Sequence, residues 1–173
     1  MLGLGACSVD PTMTRFKSGA WDIEGKTDRV SDKPNYAAGI LTRSRNFNVE
    51  PLKLELANLQ LLCFDNAPVV YFKFTETVGS NRNSRLSYRF DQNPGRDVKV
   101  RILRDSKTIV IEDQHDVVRF VDEMRTASNL IVQVFSLTEF LSTADFKVEG
   151  AAKAIDAVYA GCPPVFTQKN RIS

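Results

Sequence analysis

The sequence is poor in the residues from which reactive sites are usually built. It holds one histidine, three cysteines and one tryptophan among 173 residues. A zinc site needs several His or Cys ligands, and they are missing. A catalytic triad needs a nucleophile and an orienting acid around its histidine, and nothing in the sequence brings a serine to His115. Glu112, Asp113 and Asp116 surround that histidine and are suited to a hard cation, but the glycine-bearing spacing of a calcium loop is absent. The cluster therefore reads as a solvated loop, with Asp116 as the helix cap. No Gly-rich phosphate loop follows a strand, so nucleotide chemistry is not signalled. No catalytic residue, metal or cofactor is expected.

Charge of one sign is lacking as well. A formal net charge of +2 is too small to argue for nucleic acid. Apolar runs such as Leu59–Phe64 fall far short of the roughly 20 residues that span a bilayer as a helix. Internal repeats and low-complexity segments are absent.

What is present is a suggestive placement of the cysteines. Cys7 closes Leu4-Gly5-Ala6-Cys7, which resembles the lipobox of bacterial lipoproteins, in which the cysteine thiol carries lipid. Met1 to Ala6 has no Lys or Arg and is too short for the apolar region of a secretory signal. The lipobox reading thus expects Met1 to lie within a longer signal, and the other reading leaves Cys7 in a mobile tail. Ser8 after the anchor favours the outer membrane, by resemblance to Gram-negative lipoproteins. With Cys7 lipidated, Cys63 and Cys162 remain as an even pair for an oxidising compartment. The alternative is two buried free thiols. Cys162 lies between Gly161 and Pro163-Pro164, in a terminal segment that frays unless tied down.

Periodicity points to a mainly β domain. Trp21 to Gly25 alternates apolar and polar, Asp32-Lys33-Pro34-Asn35 is a turn, and Tyr36 to Thr42 returns as a hairpin strand. Leu52-Lys53-Leu54-Glu55-Leu56 alternates with its leucines on one face. Leu59–Phe64, Val69–Phe74, Leu86–Phe90, Val98–Ile102, Thr108–Ile111, Leu130–Leu137 and Asp145–Glu149 are further strand candidates. Val117, Val118, Val121 and Met124, with Phe120 beside them, have helical spacing, as do Ala151, Ile155, Val158 and Tyr159 after Gly150. Two helices cannot supply the crossovers of a parallel sheet. The expected fold is an antiparallel β-sandwich with two short helices, one of them C-terminal. Residues 1–20 read as a lipobox-like segment and tether, 21–164 as the sandwich, and 165–173 as a tail. Trp21, Phe120, Phe135, Phe140 and Phe146 read as core.

The densest charge feature is basic. Alternation puts Arg85 and Arg89 opposite Leu86, Tyr88 and Phe90, and pairing with the next strand adds Lys99 and Arg101. These four form a candidate patch for an acidic partner, lipid headgroup or polyanion, or else a charged sheet face that blunts edge pairing.

The order of motifs is itself informative: Trp21, Asp28-Arg29-Val30, Cys63-Phe64-Asp65-Asn66, Tyr88-Arg89-Phe90-Asp91, Arg119-Phe120, Leu130–Val134, and Asp145–Gly150 running to Cys162. Between Trp21 and Cys162 the chain resembles small envelope proteins of proteobacteria, most of all the VasI family associated with type VI secretion. More distantly it is similar to invasion-associated locus B proteins. The resemblance implies an envelope β-domain of accessory role, with Cys63 and Cys162 paired, and it transfers no catalytic residues. The expected function is a non-enzymatic, lipid-anchored periplasmic protein that binds another envelope component. The alternative is a soluble periplasmic ligand-binding or inhibitor module with a cleft near the C-terminal helix.

Overall fold

Inward-facing apolar residues at every second position build the sheet: Trp21 and Ile23, then Leu59 and Leu61, then Leu86, Tyr88 and Phe90 are buried, while Asp22, Glu24 and Arg89 face out. The computed structural model describes residues 13–46, 55–80, 85–135 and 141–164. In chain order its strands are β1 (Met13–Ser18), β2 (Trp21–Thr27), β3 (Pro34–Asn46), β4 (Glu55–Phe64), β5 (Ala67–Phe74), β6 (Arg85–Phe90), β7 (Arg96–Lys99), β8 (Arg101–Ile102) and β9 (Thr108–Ile111). Helix α1 (Gln114–Met124), strands β10 (Asn129–Phe135) and β11 (Leu141–Lys147), and helix α2 (Ala151–Tyr159) complete the described chain.

Every pairing is antiparallel, in the order β7-β6-β10-β11-β3-β4-β5-β9-β8. The two ends of this path, β7 and β8, are separated by Val100 alone, whose side chain is buried. One extended segment therefore pairs with β6 through its first half and with β9 through its second. The sheet curls round until its ends meet, so the expected sandwich is nearly closed into a barrel. The long β3 makes the curl possible. It pairs with β4 along one edge, and along the other with β2 first and β11 later.

Phe120 on α1 is the hub of the core. Its ring lies 5.0 Å from those of Tyr88 and Phe90 and 5.9 Å from that of Phe72, in tilted or edge-on contact. Such pairs add about 0.5–1.5 kcal/mol each beyond their area. Helix α2 buries Ala151, Ala154, Ile155 and Val158 against β3 and β4. The Tyr159 hydroxyl donates to the Val69 carbonyl at 2.9 Å, and burial pushes this phenol well above its ordinary pKa.

Four expectations are corrected. Met13–Ser18 form β1 on β2, so these residues are strand and not tether. The cap of α1 is Asp113, whose carboxylate accepts from the backbone N–H groups of His115 and Asp116; Asp116 lies inside the helix. Glu55 is the inward residue of its strand and is 3% exposed, whereas Leu56 faces out. Ala57, Leu59 and Leu61 fix that parity, because a one-residue slip would expose all three. Leu52 and Leu54 lie outside the described residues. Phe135 is exposed on the outer face instead of joining the core, and Phe140 lies outside the described residues.

Candidate functional site

Two features of the surface carry chemistry. The first is the bond between Cys63 on β4 and Cys162 just beyond α2, with sulfurs 2.07 Å apart. Chain geometry brings the two together. Asp65 and Asn66 both take positive φ, which gives a tight two-residue turn from β4 to β5. That turn leaves Cys63 near one end of the sheet, where α2 ends on the inner face. The chain beyond α2 is thereby tied to the barrel across 99 residues of sequence.

The bridge lines a cleft of about 440 Å³ between the β2–β3 hairpin and the end of α2. Asp28, Lys33, Tyr36, Asp65 and Ala157 form its walls. On the hairpin side a broader depression of about 750 Å³ also reaches Cys63, past Met13, Val30 and Leu62. The hairpin tip is ordered by Asp28, which accepts from the backbone N–H groups of Ser31 and Val30; these bonds hold its carboxyl below the usual range.

The second feature is the outer face of the barrel. Cross-strand partners form rows across it. Arg45, Thr143, Gln133, Ser87 and Asp97 stand side by side from β3 to β7. Phe135, Arg85 and Lys99 form the next row on one side, and Asp145, Ile131 and Arg89 the next on the other. On β3, Arg43 lies opposite Leu56.

Of the four basic residues expected from the sequence, Arg85 and Lys99 are direct cross-strand neighbours, and Arg89 faces outward on the same strand as Arg85. Arg85 lies 3.4 Å from Asp97, which also accepts from the Ser87 hydroxyl. Arg101 is drawn away from this group. Its guanidinium grips Glu112 at 2.6–3.0 Å, and that hydrogen bond holds its proton more firmly than usual. The same contact commits Glu112, while Asp113 caps α1 and Asp116 lies 3.6 Å from Arg119. His115 sits in the exposed first turn of α1.

Arg43 and Arg45 join the face although periodicity did not single them out. Both are exposed, and neither they nor Arg89 nor Lys99 has an ion-pair partner among the described residues. Their alternation with Thr42 and Ser44 was visible in the sequence, but strand adjacency was not. Cys7 lies outside the described residues. No family model, curated protein or solved structure matches the chain.

Proposed function

We propose that this protein is a non-enzymatic module of the bacterial cell envelope, anchored by lipid on Cys7 and presenting its barrel to another envelope component. The observation that carries the reading is the Cys63–Cys162 bridge. Bonds of this kind persist in oxidising compartments and are rare in the cytosol. The bridge takes up both cysteines of the folded domain and leaves Cys7 over, within its lipobox-like setting. A lipoprotein anchor buries several acyl chains, which holds more durably than the marginal binding of one.

The strand β1 shortens the leash. Five residues separate Cys7 from Met13, so an anchor would hold the start of the barrel within roughly 20 Å of the lipid. The resemblance to the VasI family makes a secretion assembly the first partner to examine. A second reading is a soluble periplasmic binding module, favoured by the cleft beside the bridge.

Intact mass of the native protein, taken from cell membranes without reductant, separates these. A chain beginning at Cys7, carrying diacylglyceryl and acyl groups and short of two hydrogens, is the expected result. A bridged chain without lipid would favour the soluble module. Three free thiols would overturn the envelope reading.

A further inference from the structure

We infer that the outer face of strands β4, β3, β11, β10, β6 and β7 is a docking surface for an anionic phospholipid bilayer. Two observations combine. The face carries Arg43, Arg45, Arg89 and Lys99 without ion-pair partners among the described residues, plus Arg85 shared with Asp97. Its rows hold two carboxylates, Asp97 and Asp145. The same face exposes large apolar side chains: Leu41 is 65% accessible, Phe135 40% and Leu56 39%. Phe135 stands directly beside Arg85, and Leu56 beside Arg43.

Exposed cations interleaved with apolar side chains match the boundary between phosphate headgroups and acyl chains. Arginine suits it well, because its fork of donors binds phosphate oxygens and its stem packs on apolar groups. The mixture of cations with large exposed apolar side chains favours a bilayer over an acidic protein. Headgroups rearrange around such a face, and long Arg side chains reach down to them. The inference is separable from the anchor on Cys7, since it concerns the barrel alone.

The test uses the full chain with Cys7→Ser, so that no lipid anchor contributes. Co-sedimentation is measured with vesicles of phosphatidylglycerol and phosphatidylcholine in equal parts, and with pure phosphatidylcholine. Binding to the anionic vesicles alone is expected, with loss as salt rises. The pair Arg43→Gln and Arg89→Gln should weaken it roughly 25-fold, at about fivefold for each cation. Phe135→Ser should weaken it further. The control pair Arg29→Gln and Arg104→Gln removes the same charge elsewhere and should leave most of the binding.

Equal loss in both pairs would reduce the effect to net charge and overturn the proposal. So would absent binding, or equal binding to neutral vesicles. Capture of an acidic envelope protein by the wild type and not by the Arg43/Arg89 variant, with no vesicle binding, would assign the face to that protein instead. Each of these outcomes leaves the intact-mass result unchanged, so the two readings fail separately.

Discussion

Gly19 and Gly150 interlock backbone to backbone. Both adopt positive φ, at 58° and 87°. A Cβ on Gly19 would lie 2.2 Å from the Glu149 carbonyl oxygen, and one on Gly150 would lie 2.5 Å from that of Ser18. The turn between β1 and β2 is thus pressed against the turn that launches α2. Two hydrogen bonds lock the contact. The Ser18 hydroxyl donates to the Gly150 carbonyl at 2.9 Å, and the Trp21 indole donates to the Val148 carbonyl at 3.1 Å.

Gly19→Ala and Gly150→Ala should each destabilise the barrel by about 2 kcal/mol or more, combining a strained αL alanine with a backbone clash. The double variant should cost less than the sum, because one substitution already separates the turns and relieves the other. Urea melts followed through the buried Trp21 read this directly. Strict additivity would mean that the two turns do not share a contact.

The sequence made most elements legible and concealed how they meet. Alternation at Trp21–Gly25 and Leu86–Phe90 reports one buried face, and both segments are strands. The spacing of Val117, Val118, Val121 and Met124 likewise marks α1, although Phe120 and not Val118 completes its buried face. Where several leucines fell on the parity opposite to Ala57, Leu59 and Leu61, the pattern misled, and the buried residue proved to be Glu55. Barrel closure through Val100 depends on a strand that changes partner, which no local pattern encodes. The basic face escaped for the same reason. Arg43 and Arg45 come near Arg89 only because β10 and β11 lie between β6 and β3.

Removing the bridge should cost the folded state about 2–5 kcal/mol, mainly by freeing the unfolded chain. The variant Cys63→Ser/Cys162→Ser is therefore expected to melt earlier than wild type without reductant. In dithiothreitol the two should converge, since wild type then loses the same link. Identical melts without reductant would mean that the cysteines are unbridged in the protein as purified.

Trp21→Phe keeps an aromatic ring in the core but removes the N–H that reaches Val148. Loss of that hydrogen bond and of ring volume should together cost about 2–4 kcal/mol. The loss should concentrate where β2 meets α2. Hydrogen exchange of α2 amides is expected to speed up more than that of α1, which packs around Phe120. Equal acceleration of both helices would show that Trp21 supports the barrel globally and not this junction.

Asp91 should make part of the stability acid-sensitive. Its carboxylate accepts from the backbone N–H groups of Ser128 and Asn129 and from the Asn129 side chain, joining the end of β6 to the start of β10. These bonds, that from the Ser128 N–H foremost, hold its carboxyl below the usual range. Because the folded value lies below the unfolded one, about 3.9, the contribution is complete above that pH. It disappears as pH falls through the folded value. Asp91→Asn should accordingly be less stable than wild type at pH 7, and the two should converge as pH falls through the folded value. Urea midpoints across this range measure the gap. Curves that stay parallel down to low pH would show that the ionised carboxylate is not what holds the two strand ends together.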